Sequence, residues 1–153
     1  MEFSEICEKL LGDWEGQYQL WLDPDAPPDT SKSKARITKT VKDKFLQIEY
    51  DWSYEGEKNE GLLVIGYNEI KEKIQMSWID SWHQQHDFMH STGLIENENT
   101  FSAKGSYLAP KGPNWEWRTR IIAQSDNAFT FEMYNISPLG NEDIAVRVEY
   151  SKK

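Results

Sequence analysis

Apolar and polar side chains alternate with a period of two from Trp14 to the end of the chain. The clearest example is 46–54, where even positions are apolar or aromatic and odd positions are polar. Successive side chains of a strand point to opposite faces, so this pattern is typical of a sheet with one buried face. Ten segments show it, separated by turn-forming residues: 14–22, 34–41, 45–54, 61–67, 73–83, 87–95, 100–109, 115–124, 128–136 and 144–151.

The connections between these segments predict their topology. Most are short turns without a helical crossover, which indicates an antiparallel up-and-down sheet, and about ten strands protect their edges best by closing into a barrel. A short amphipathic helix at 3–11 precedes them and stops at Gly12. We therefore predict an all-β barrel at 14–151 in a single domain, 1–153. The proline-rich segment 23–32 is predicted to be a surface loop over one mouth.

The charge balance argues against two classes of partner. With 26 acidic and 17 basic side chains, the chain has a formal net charge of −9. Such a surface repels polyanions, so we expect neither a nucleic-acid partner nor binding to anionic membranes. The N-terminus lacks the pattern of a signal sequence, and no window approaches the roughly 18 apolar residues of a membrane span. With a single cysteine, Cys7, these features indicate a cytoplasmic protein.

The stretch from Trp78 to His90 concentrates the chemistry of the sequence. It contains all three histidines, two of the seven tryptophans and the carboxylate Asp80. Strand alternation over 73–83 places Trp78, Asp80 and Trp82 on one face, so a single charge lies between two large rings. This arrangement predicts the wall of a pocket.

The spacing of the three histidines suggests a metal site as one alternative. His83, His86 and His90 have spacings of three and four, which would align them on a helix and suit zinc. The period of two argues against that helix, and a two-residue turn at Gln84 and Gln85 would leave only His83 and His86 as cross-strand neighbours. We therefore predict a polar hairpin end, with no native metal site and no cofactor.

A buried carboxylate at Asp80 requires hydrogen-bond donors or a counter-ion. Arginine suits an internal pair because its planar fork binds a carboxylate at two points, and Arg118 and Arg147 lie on the last predicted strands. Such a pair could orient a polar ligand or close the barrel end structurally. The alternation does not show which face of the segment 115–124 points into the barrel, since Trp115 and Trp117 share one face and Arg118 lies on the other.

Some motifs resemble a known superfamily. Gly12-Asp13-Trp14 after a short helix, with Arg147 on the last strand, resembles the calycins, which include lipocalins and fatty-acid-binding-like barrels. The resemblance implies that Trp14 closes one barrel end and that Arg147 crosses it. Further strings look like a lipocalin-like bacterial family of unknown function, which implies a fold and no reaction: 80–83, 105–107, 109–118 and 133–136.

Two departures limit what the resemblance implies. Fatty-acid-binding proteins carry a helix-turn-helix between their first strands, which the loop 23–32 cannot hold, and they use Arg-x-Tyr where this chain has Arg147-Val148-Glu149. A fatty-acid ligand is therefore not implied. Haem-binding, nitrobindin-like barrels are also similar, but their iron ligand is a late histidine, and no histidine follows His90.

The sequence predicts binding of a small, amphiphilic or hydrophobic organic molecule inside the barrel. No nucleophile elbow, phosphate loop or His-Glu-x-x-His motif is present, so the enzyme alternative depends on Asp80 or a histidine at the cavity base. The other alternative is a filled barrel that serves as an interaction or homodimerisation module. The predicted ligand-binding residues are Trp52, Trp78, Asp80, Trp82, Tyr107, Trp115, Arg118, Tyr134 and Arg147.

Overall fold

One helix and ten strands form the protein in a computed structural model that describes residues 3–84 and 86–153. This confirms the predicted all-β barrel with a short N-terminal helix. The bounds are α1 (Phe3–Leu10), β1 (Gly12–Leu20), β2 (Asp29–Thr40), β3 (Phe45–Tyr54), β4 (Glu57–Asn68), β5 (Lys73–Asp80), β6 (Met89–Asn97), β7 (Thr100–Tyr107), β8 (Trp115–Ser125), β9 (Ala128–Ile136) and β10 (Glu142–Lys152).

Pairing of the first strand with the last closes the barrel. Each strand pairs antiparallel with its neighbours in the chain, and β1 pairs with both β2 and β10. Closure gives every described strand a paired neighbour on both sides, which limits edge-to-edge aggregation. The up-and-down order predicted from the short turns is thus confirmed. Within residues 3–84 and 86–153, no helix has the length and apolar character needed to cross a membrane.

Most predicted boundaries move by one to five residues. The bounds of β3 and β9 are those predicted, but β5 ends at Asp80 rather than at residue 83. The strand β2 begins at Asp29, so only 23–28 of the predicted loop 23–32 lies outside a strand. Part of the predicted turn at Gln84 and Gln85 falls on Gln85, which lies outside the described residues.

Helix α1 covers the end of the barrel where β1 begins. The indole N–H of Trp14 donates to the Leu10 carbonyl at 2.8 Å, and the Trp14 ring packs edge-on against Phe129 at 4.8 Å. The cation over Trp14 is Lys152, whose Nζ lies 4.8 Å from the ring centroid. The expected Arg147 contact is wrong, because Arg147 is on the outer face of β10. We call this end the closed end and the opposite one the open end.

Candidate functional site at the open end of the barrel

Asp80, the last residue of β5, is the centre of the open end. Its side chain points inward and the residue is only 4% exposed. Oδ2 accepts hydrogen bonds from the Tyr50 hydroxyl at 2.6 Å and from the Trp52 indole N–H at 3.2 Å. Oδ1 accepts from the backbone N–H groups of Trp82 at 2.8 Å and His83 at 3.0 Å. Four donors thus satisfy this buried acceptor.

The same carboxylate ends the strand. An aspartate that accepts from amides two and three residues ahead stabilises a turn in place of continued extended chain. The turn at 81–84 therefore begins directly after Asp80. Trp82 still packs on the inward-facing Trp52, whereas His83, which alternation had placed on the opposite face, is directed into the barrel end.

Tyr50 links Asp80 to a further ring. The Trp78 indole N–H donates to the Tyr50 hydroxyl oxygen at 2.9 Å, and that hydroxyl donates to Asp80. Burial first, and the negative charge of Asp80 second, raise the pKa of Tyr50 well above its ordinary value. The phenol is therefore neutral at physiological pH and acts as a donor.

His83 is enclosed by aromatic rings. Its Nε2 atom and the Tyr18 hydroxyl are hydrogen-bonded at 3.1 Å. Burial lowers the pKa of the imidazole to about 4, although the charge of Asp80 opposes part of the shift. At neutral pH the ring is therefore neutral. Four tryptophan ring centroids surround it, those of Trp82 at 4.9 Å, Trp78 at 5.4 Å, Trp52 at 5.5 Å and Trp117 at 5.5 Å. We call these four side chains the tryptophan cage.

Two buried polar atoms beside the cage have no hydrogen-bond partner among the described residues. They are the indole nitrogen of Trp117 and Oε1 of Gln84. The other end of the Gln84 amide donates to the Trp78 carbonyl at 3.4 Å, and Trp78 stacks on Trp117 with centroids 5.5 Å apart. Buried polar groups are nearly always paired in native proteins, so this donor and this acceptor are places where an ordered water or a ligand would bind.

The rim of the open end carries two further predicted residues. The Tyr107 hydroxyl donates to Oδ1 of Asn135, and its ring lies 6.4 Å from that of Trp117. Trp115 is half-buried at the start of β8 and is paired with Tyr107 in the register of β7 and β8. Both therefore lie at the mouth, outside the tryptophan cage.

The predicted pairing of Asp80 with an arginine is wrong. Arg118 contacts Glu142 at 2.7 Å, and Arg147 contacts Glu132 at 2.9 Å, both on the outer face of the barrel. On β8, Trp117 and every second residue after it point into the barrel. This phase is favoured because burial of rings and aliphatic groups costs less than burial of a guanidinium.

Tyr134 also lies on the outer face. Its ring is 5.7 Å from the guanidinium of Arg120, while its neighbour Met133 is fully buried in the interior. The expectation that Tyr134 lines a cavity is therefore not met. Of the predicted ligand-binding residues, the open end brings together Trp52, Trp78, Asp80, Trp82, Tyr107 and Trp115.

The three histidines point to different places. His90 lies on the outer face of β6, with Nδ1 hydrogen-bonded to the Ser77 hydroxyl at 2.8 Å, and His86 is exposed. Only His83 enters the interior. Across residues 3–84 and 86–153, no group of three metal-ligating side chains is close enough to hold an ion.

Sequence reasoning missed four contributors to this site. Tyr18, Tyr50 and Trp117 follow the inward phase of their strands, so alternation together with the choice of the aromatic face on β8 would have found them. Gln84 carries no such signal, because it reaches the interior from a turn.

A surface groove lies on the outer face of β2 to β5. Its volume is about 900 Å³, and its lining includes Tyr50 and Asp80 beside charged side chains such as Lys34, Arg36 and Glu49. Inside the barrel, the inward side chains form one buried cluster from the closed end to the tryptophan cage. A ligand of the barrel interior would therefore be held at the open end.

Comparisons with solved structures support the fold. The crystal structure of Rv2717c from M. tuberculosis is similar with a TM-score of 0.67 at 10% identity, covering 97% of this chain and 96% of that one. The S-type phycobiliprotein lyase CPES from Guillardia theta is similar with a TM-score of 0.63 at 13% identity, covering 100% and 93%. At such identities the likeness concerns the fold alone.

Sequence comparison identifies the family of the chain. No curated protein matches the chain. The family described as "Protein of unknown function (DUF1579)" matches residues 4–152, nearly the whole chain. The protein therefore belongs to the DUF1579 family.

Proposed function

We propose that the protein binds a small organic molecule at the open end of its barrel. The observation that carries the proposal is a pair of buried atoms, Trp117 Nε1 and Gln84 Oε1, which have no hydrogen-bond partner among residues 3–84 and 86–153 and lie within a cluster of aromatic rings. Binding sites for small molecules are typically apolar and aromatic, with a few polar groups that orient the ligand. A ligand with one acceptor and one donor would complete both hydrogen bonds.

The barrel architecture is compatible with this role. The motifs around Trp14 resemble those of calycins, and the fold is similar to that of a phycobiliprotein lyase. Both likenesses support a ligand held within a barrel, without indicating which ligand.

The geometry gives the enzyme alternative less support. All four hydrogen-bonding directions of Asp80 are used by neutral donors, and Nε2 of His83 is joined to Tyr18. The thiol of Cys7 lies under the helix at the closed end, and burial raises its pKa to about 12. No pair of a nucleophile and a base follows from these positions.

The filled-barrel alternative predicts an exposed aromatic patch. The exposed large apolar side chains of the described residues are mostly aliphatic, and most of them lie in turns and loops, as Ile70, Leu108 and Leu139 do. Single exposed apolar residues are normal on a protein surface, so they give this alternative no specific support.

The proposal is tested with a panel of aromatic and amphiphilic compounds. Tryptophan fluorescence and the melting temperature are followed for the wild type, for Trp117→Phe and for Trp21→Phe, a tryptophan outside the inward-facing cluster. At least one compound should raise the melting temperature of the wild type and of Trp21→Phe. Its affinity for Trp117→Phe should be about fivefold lower, because one hydrogen bond contributes about 1 kcal/mol. No hit, or a hit that binds all three proteins equally, would overturn the proposal.

A further inference from the structure

The tryptophan cage indicates a class of ligand. We propose that it binds a quaternary ammonium group in the place now filled by the His83 imidazole. This inference rests on the proposed function and narrows it from small organic molecules to organic cations.

The first support is the geometry of the cage. Its four ring centroids lie 4.9 to 5.5 Å from the centroid of the imidazole. The imidazole plane makes angles of 31°, 46°, 58° and 86° with the four indoles, so the rings differ in their tilt relative to the imidazole. Aromatic faces attract a cation within about 6 Å of their centroids, and tryptophan is the strongest of them.

The second support is the charge of Asp80. This buried carboxylate receives four hydrogen bonds, all from neutral groups, and no basic side chain of the described residues pairs with it. On the outer face, in contrast, the carboxylates of Glu132 and Glu142 each face an arginine. A buried negative charge without a counter-ion favours a cationic ligand nearby, and the net charge of −9 favours its approach.

The third support distinguishes between kinds of cation. The cage holds His83 as a neutral ring, because burial opposes its protonation more strongly than Asp80 favours it. An imidazolium or a protonated amine carries more N–H groups than the one free acceptor identified beside the cage, Gln84 Oε1, can satisfy, and the faces of the four indoles supply no further acceptor. A quaternary ammonium has no N–H group and is weakly hydrated, so its transfer into the cage costs less.

His83 acts in this scheme as an internal occupant that a ligand displaces. The residue is half-buried and lies in the turn 81–84, so its side chain reaches the cage from the solvent side. On leaving, it gives up the contact with the Tyr18 hydroxyl at 3.1 Å. Removal of the imidazole should therefore make the cage more accessible to an external cation.

The experiment compares choline with 3,3-dimethyl-1-butanol, its neutral isostere, by calorimetric titration of the full chain. The proteins are the wild type, His83→Ala and His86→Ala, the last being an exposed control in the same connection. Choline should bind the wild type about tenfold more tightly than the isostere, as a cation–π contribution of ordinary size requires. His83→Ala should bind choline about tenfold more tightly than the wild type does, and His86→Ala should match the wild type.

Two results would overturn the inference. If the isostere binds as tightly as choline, the preference for a cation is wrong, although a ligand site at the open end stands. If neither compound binds the wild type or His83→Ala, the cage is not a cation site, and the wider compound panel decides the proposed function separately. If His83→Ala does not fold, the comparison of the two compounds on the wild type decides alone.

Discussion

The ring of Tyr50 lies across Gly61, its direct partner on the neighbouring strand. Gly61 is paired with Tyr50 in the register of β3 and β4, and with Asp80 in that of β4 and β5. A Cβ atom at position 61 would lie 2.1 Å from Cζ of Tyr50 and 2.2 Å from its hydroxyl oxygen. The missing side chain thus lets the phenol cross β4 and reach Asp80 at 2.6 Å.

Gly61→Ala is therefore expected to destabilise the protein. The added methyl group would displace the Tyr50 ring from Asp80, and overpacking of a buried site costs about 1–3 kcal/mol in the free energy of unfolding. Urea denaturation measures this loss. In the control Gly66→Ala, on the same strand, the methyl group meets only the ring edge of the partly exposed Phe45, which can turn away. Equal losses in the two variants would contradict the role given to Gly61.

Asp80→Asn replaces an acceptor by a group that also donates. The new amide N–H₂ would face a donor, either the Trp52 indole or backbone N–H groups of the turn. An unsatisfied buried polar group costs about 1–3 kcal/mol, which urea denaturation should show. Asp51→Asn is the control, because that carboxylate is on the outer face of β3 near Lys58 and its ion pair contributes about 0–1 kcal/mol. An Asp80→Asn variant as stable as this control would contradict the role of Asp80 as the acceptor of four hydrogen bonds.

His83 makes stability depend on pH. In the folded protein, burial lowers its pKa from 6.5 to about 4. Between these values the unfolded chain binds a proton that the folded protein does not, so stability falls as the pH falls through this window. Below about pH 4 both states are protonated and the loss stays constant at about 3 kcal/mol.

The pH dependence is measured against His83→Gln. Carboxylates titrate in both proteins, so the difference between the two unfolding free energies isolates His83. From pH 7 to 4 the wild type should lose up to about 3 kcal/mol more than the variant. Parallel curves would show that the imidazole is not held neutral in the cage.

Arg147 is predicted to be structural. Its partner Glu132 has a side chain only 5% exposed, so Arg147→Gln leaves a nearly buried charge without its cation. We expect a loss of about 1–3 kcal/mol, against less than about 1 kcal/mol for Arg36→Gln, whose pair with Asp13 is well exposed. The melting temperatures compare the two variants. Compounds from the panel should bind Arg147→Gln with wild-type affinity. A lower affinity for this variant alone would show that Arg147 belongs to the ligand site.

Alternation predicts this fold well because the apolar positions within each segment mark the side chains that face the barrel interior. In β3, apolar side chains at every second position and turn residues beyond Tyr54 define the strand completely, and its bounds are as predicted. The end of β5 is different, because Asp80 has the period of the strand and also caps the turn that stops it. Whether the chain continues as a strand or turns after Asp80 depends on the backbone N–H groups that donate to its carboxylate. The alternation of side chains does not show these hydrogen bonds.

The site is less predictable than the barrel. On β8 the alternation of Trp117 with Arg118 is equally regular in either phase, and only packing against the other strands selects the aromatic face for the interior. His83 enters that interior from a turn, so no periodicity reports its position. The cage that it occupies consequently follows from tertiary structure alone.

The indole N–H signals of the seven tryptophans test ligand binding at the open end most directly. They are resolved in a nitrogen–proton correlation spectrum and assigned by single substitutions to phenylalanine. On addition of the tightest-binding compound, the signals of Trp117, Trp52 and Trp78 should move, and that of Trp14 at the closed end should stay. Movement of the Trp14 signal alone, or no movement at saturation, would contradict a ligand site in the tryptophan cage.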